Sequence, residues 1–120
     1  MDSEMSPPID RAHLTEMTGG DTEFEAELMQ EFLNSAPGLI QSLETALENN
    51  DMKALEMAAH TLKGSCRSLG AMVMSNPCEE LEEMGRQGSA SGFEPFLKEV
   101  QDHYAVAHAY ILQAWNLKAA

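Results

Sequence analysis

The chain of 120 residues carries seven Lys and Arg against 20 Asp and Glu, a formal net charge of −13, with 43% hydrophobic residues. That length suits one domain over residues 1–120, and the apolar fraction is too high for a disordered acidic tail. The charge excludes partners held by neutralised phosphate, so neither nucleic acid nor an anionic membrane surface is expected, and no apolar run approaches the roughly 18 residues of a membrane span.

Residues 1–8 combine acids with prolines, where a signal peptide has a basic start and an apolar core. They are expected to be a flexible lead-in. Cys66 and Cys78 form no CxxC pattern. They read more readily as two small buried residues than as a redox pair, which suits a reduced, cytoplasmic location.

The whole sequence reads as helix, because β-branched residues are scarce and no stretch alternates apolar and polar. Asp10 caps a short first helix that ends at Gly19-Gly20. Asp21 and Thr22 open a second, with Glu25 three after Thr22 as in a capping box. Its apolar positions Phe24, Leu28, Phe32, Ile40, Leu43 and Leu47 keep phase past Pro37, so a kink is expected there, not a division. Asp51 caps a third helix that Gly70 ends. The fourth begins near Met72, or at Ser75 with Pro77 in the first turn, and stops in the stretch from Gly85 to Gly92. Ser91 and Glu94 suggest a capping box for the last helix, whose stripe runs through Phe93, Leu97, Val100, Tyr104, Ala107, Ile111 and Trp115. Loops this short predict an all-α, up-down antiparallel four-helix bundle with a short extra N-terminal helix.

The third helix departs from ordinary amphipathicity. Leu55, Ala58, Leu62, Cys66 and Leu69 form its core stripe, and His60 lies roughly 160° from the middle of that stripe. Lys53, Glu56, Lys63, Gly64, Arg67 and Ala71 share its outer face, three of them basic. A glycine in an exposed helix costs about 1 kcal/mol relative to alanine. Gly64, one turn after His60, therefore suggests a surface kept bare for another protein. His103 and His108 are five apart and cannot chelate one metal as an i,i+4 pair would. Met29, Met57, Met72, Met74 and Met84 fall near apolar stripes and read as core filling.

The segment AHTLKGSCRSLGA, Ala59 to Ala71, resembles the His-x-Leu-Lys-Gly-Ser signature of histidine-containing phosphotransfer (HPt) domains. His60, Leu62, Lys63, Gly64, Ser65, Leu69, Gly70 and Ala71 carry the likeness. Weaker agreement extends to Ile9-Asp10, Phe32-Leu33 and the Cys78-x-x-Leu81-Glu82 of the fourth helix. The resemblance implies a four-helix bundle with a phosphorylated histidine, acting in two-component phosphorelays. Its partners would be response-regulator receiver domains and a hybrid sensor histidine kinase. A phospho-aspartate receiver would be the donor, bringing its own acidic pocket and Mg²⁺, while this chain needs no cofactor or metal.

A neutral imidazole is a good nucleophile at neutral pH, and phosphoryl transfer rests mainly on positioning and charge neutralisation. His60 is thus expected to accept the phosphoryl group, with Lys63 and Arg67 meeting its oxygens. The imidazole attacks through the nitrogen that lacks a proton, so an acceptor should hold the proton on the other. The resemblance places Glu82 in that role; Glu56, one turn before His60, is the rival. Lys53, Glu56 and Ala71 complete the expected partner-binding face. No ATP-binding motif is present, so a monomeric carrier without kinase activity is expected. A helical adaptor that binds receivers or other signalling proteins without phosphorylation is the alternative.

Overall fold

The computed structural model describes residues 8–117. The expectation of a flexible N-terminus falls almost wholly outside them. Five helices follow one another: α1 (Arg11–Thr18), α2 (Thr22–Glu48), α3 (Met52–Leu69), α4 (Met72–Gln87) and α5 (Glu94–Ala114). Three begin where an aspartate satisfies a free amide of the first turn. Asp10 accepts from His13 N at 3.2 Å, Asp21 from Phe24 N at 3.1 Å and Asp51 from Ala54 N at 3.1 Å. Helix α2 passes through the exposed Pro37 without dividing.

Helices α2 to α5 pack in sequence order, and α5 closes back on α2. The bundle expected from the sequence is therefore the observed one, with α1 laid across α2 and α3. Its core is drawn from every helix, with Leu14, Met29, Phe32, Leu43, Leu55, Leu62, Met74, Leu81, Val100 and Ile111 all fully or almost fully buried. Gly70 ends α3 at φ +89°. Its carbonyl accepts from Asp10 N at 2.8 Å, and a Cβ there would lie 2.8 Å from the Asp10 carbonyl oxygen. One glycine thus both turns the chain and seats the start of α1.

Several local expectations are corrected. The Thr22–Glu25 capping box does not form: Asp21 is the cap, and buried Glu25 instead accepts from Thr18 Oγ1 at 3.2 Å and Trp115 Nε1 at 3.4 Å. The Ser91–Glu94 box is also absent, because Phe93 precedes α5 with no side-chain cap. Of the two expected starts of α4 the earlier, Met72, is the observed one, so Pro77 lies within the helix and not in its first turn. Phe24, Met57 and Met72 are exposed, against the core positions assigned to them. Cys66 and Cys78 are buried with free thiols. The neighbouring Cys78 thiol and burial push the Cys66 thiol up, which leaves it inert as a nucleophile.

Gly85 does not end α4. It lies inside the helix, and a Cβ there would stand 2.6 Å from Glu56 N and 2.7 Å from Met52 O. Backbone of α4 presses on backbone of α3 at this point, and neither can yield as a flexible side chain would. Gly85→Ala is therefore expected to destabilise the protein by about 1–3 kcal/mol through overpacking. Urea titration checks this; a variant as stable as the parent would show that the helices separate without cost.

Candidate functional site

His60 stands on the outer side of α3 with 69% of its side chain exposed. Its Nδ1 lies 2.9 Å from Glu82 Oε2, on the neighbouring α4. The Glu82 side chain is only 5% exposed. Its other oxygen, Oε1, receives no well-directed hydrogen bond, but the Lys63 ammonium stands 2.6 Å away as an ion pair. Arg86, one turn along α4, donates from Nη2 to Oε2 at 3.0 Å. A single buried carboxylate therefore gathers an imidazole and two cations.

Burial alone would push the Glu82 carboxyl up. The close Lys63 cation and the hydrogen bond and charge of His60 outweigh burial and hold it below its ordinary value of 4.5. Ionised at neutral pH, the carboxylate can only accept. In the neutral imidazole the proton must then sit on Nδ1, which leaves the Nε2 lone pair bare. The histidine is held in the one tautomer whose nucleophilic nitrogen is free.

Of the expected supporting residues, Lys63, Gly64 and Glu82 gather at His60, and Glu82 rather than Glu56 is the imidazole's partner. Lys63 is not a free cation, since its side chain is 16% exposed and spent on Glu82. Arg67 pairs with Glu79 at 2.6 Å on the surface, away from the imidazole's own bonds. Glu56 lies between Lys53 at 3.9 Å and Arg86 at 3.6 Å. Ala71 is corrected outright: it is fully buried in the turn just before α4, so it cannot meet a partner. Helical phase had been carried past Gly70, where the helix stops.

The sequence reading missed Arg86, which also pairs with Glu83. The signal is there, because Arg86 follows Glu82 by four residues, but it lies in the stretch from Gly85 to Gly92 in which the helix is expected to stop, and where it does stop, at Gln87. A Cβ on Gly64 would meet nothing within 4 Å, so no contact inside the molecule requires glycine there. Among the described residues no group of three or more His, Cys, Asp or Glu is arranged to hold a metal ion, and no helix is long and apolar enough to cross a membrane.

A model of the Hpt domain family matches residues 27–110. Multistep phosphorelay regulator 1 of Schizosaccharomyces pombe is 32% identical over 117 residues, covering 86% of this chain and 40% of that protein. Pseudo histidine-containing phosphotransfer protein 1 of Oryza sativa is 31% identical over 85 residues, 69% of this chain and 46% of that protein. In structure, histidine-containing phosphotransfer protein B of Pseudomonas aeruginosa superposes with a TM-score of 0.86 at 23% identity, over 96% of this chain and all of that one. The chain belongs to the Hpt domain family. It spans under half the length of these two curated relatives.

Replacing Glu82 tests the carboxylate. Folding lowers this pKa, so the ion's contribution is complete above the unfolded carboxyl's value near 4.5 and is lost as pH falls through the lower folded value. At pH 7, Glu82→Gln should be less stable by about 1–3 kcal/mol, because Lys63 and Arg86 keep their charge without its counterpart. Denaturation from about pH 7 to about pH 3 should show the gap closing on the acid side. A gap of constant size would mean that Glu82 is not ionised in the fold.

Proposed function

We propose that this protein is a phosphorelay intermediate that accepts a phosphoryl group on His60 from a phospho-aspartate receiver and passes it to a response regulator. The observation that carries this reading is the exposed imidazole held by buried Glu82 in the tautomer with Nε2 free. Nε2 attacks phosphorus, the bond from phosphorus to the aspartyl oxygen breaks, and its electrons return to the aspartate carboxylate. The phosphoimidazole keeps its Nδ1 proton, stabilised by the Glu82 carboxylate. On transfer onward, an aspartate carboxylate oxygen of the response regulator attacks phosphorus, the N–P bond breaks and the electron pair returns to Nε2. Because Nδ1 has kept its proton, the leaving group is a neutral imidazole and not a poor imidazolate anion.

Lys63 acts through Glu82, keeping it ionised, and Arg86 pairs with the same carboxylate. Gly64 clears the approach. The receiver is taken to supply the acidic pocket and Mg²⁺, and this chain to act as a monomeric cytoplasmic carrier without kinase activity of its own. The rice relative named as a pseudo phosphotransfer protein favours one alternative, an adaptor that binds signalling partners without phosphorylation. His60 and its buried acceptor weigh against it, since an adaptor has no use for a held tautomer.

Mixing with a phosphorylated receiver should leave acid-labile, base-stable phosphate on the protein. His60→Gln should take none while keeping stability within about 0.5 kcal/mol, as its side chain is outside the core. A labelled variant would remove His60 from the role, and an unlabelled parent would favour the adaptor. Gly64→Gln should gain up to about 1 kcal/mol from helix propensity, yet transfer roughly tenfold slower or worse because the approach is displaced. Unchanged transfer by that variant would give the glycine another cause.

A further inference from the structure

The two sides of His60 differ in chemistry. Toward α4 the surface depression is lined by Lys53, Glu56, Glu82 and Arg86, with the exposed Met57 and Thr61 beside them, and these charges are already paired with one another. A partner pressed onto them would strip water from ion pairs, which is costly. Toward α2 lies a groove of about 450 Å³. Phe32 and Leu69, both buried, form its floor. Its α3 wall is Gly64, Ser65 and Ser68, with no charge.

The α2 side of that groove carries one carboxylate among Leu28 and Ser35, with a second just outside it. Glu31 lines it, and Glu27 stands one turn before on the same face. Both are exposed, and neither meets a cation among the described residues. The basic residues near His60 cannot serve instead as a free positive patch, since Lys63, Arg67 and Arg86 already answer Glu82 and Glu79.

We propose that Glu27 and Glu31 select the partner: the receiver that serves His60 seats an apolar side chain over Phe32 and Leu69 and sets Lys or Arg against these two carboxylates. This rests on the phosphorelay reading above. Receivers with an acidic docking face are turned away by the same pair, reinforced by the net charge of −13. Encounter with the right receiver is steered by attraction, so transfer slows as salt rises.

The test uses purified receiver domains encoded by the source genome, each phosphorylated with acetyl phosphate, and takes the one that labels His60 fastest. With that receiver in about 50 mM salt, Glu27→Lys with Glu31→Lys should slow transfer roughly tenfold, and about 500 mM salt should nearly erase the difference. Glu48→Lys, 17 residues beyond Glu31 on the same helix and about 25 Å away, should stay within about twofold. Labelling by phosphoramidate, a small donor that does not dock, should be unchanged in both variants. Parental transfer rates in the double variant would overturn the proposal. So would a loss that persists at high salt or extends to phosphoramidate, since either points to damage at the site. If no receiver labels the parent protein, the function reading itself fails, and this selection with it.

Discussion

Everything at the site depends on how closely α3 and α4 approach at Gly85. Where a Cβ would stand 2.6 Å from the amide of Glu56, only glycine lets the two backbones meet. Glu82 lies one turn before this contact and Arg86 immediately after it. Glu56, on the facing helix, is one turn before His60. The contact therefore brings the imidazole and its acceptor within 2.9 Å. Helix propensity argues against Gly85 by about 1 kcal/mol, and close backbone packing offsets that loss.

Burying a carboxylate is unfavourable, and Glu82 is tolerated because it is never alone. Lys63 approaches one oxygen, while His60 and Arg86 share the other. Lys63 and the imidazole hold the carboxylate ionised against its burial, and ionisation is what makes it an acceptor with no proton to give. The tautomer of His60 thus follows from the charge of a residue on another helix. Removing Lys63 weakens that hold without touching the imidazole.

Helix ends and helix count were legible because they are written locally. Asp10, Asp21 and Asp51 each cap within three residues, and Gly19 and Gly70 each stop a helix by adopting a left-handed conformation. His60 and Gly64 were legible because their phase is set within one helix. The losses lie where phase had to cross a break or where two helices meet. Ala71 was placed on the wheel of α3 although the chain turns at Gly70, and it is buried. The stop of α4 between Gly85 and Gly92 was legible, but the packing role of Gly85 was not, because its partner, the backbone of Glu56, is 29 positions away in sequence. Arg86 was missed because that stretch left its place on the helix open. Lys63 was visible as a cation, but nothing in the chain's local pattern could say that Glu82 already occupies it.

Two glycines inside helices therefore have opposite causes. Gly85 is required by atoms of this molecule, whereas Gly64 faces open space, and only something outside the molecule can require it. The same contrast divides the surroundings of His60. On the α4 side, polar groups satisfy one another and fix the imidazole; on the α2 side, small residues, an apolar floor and unanswered carboxylates face outward. A carrier must hold its nucleophile rigidly and still yield it to another protein. Those demands conflict on one surface, because groups that bind the ring tightly also crowd it. Splitting them between the two flanks of α3 removes the conflict: α4 orients the ring, and the open groove beside α2 is left to whatever partner comes for it.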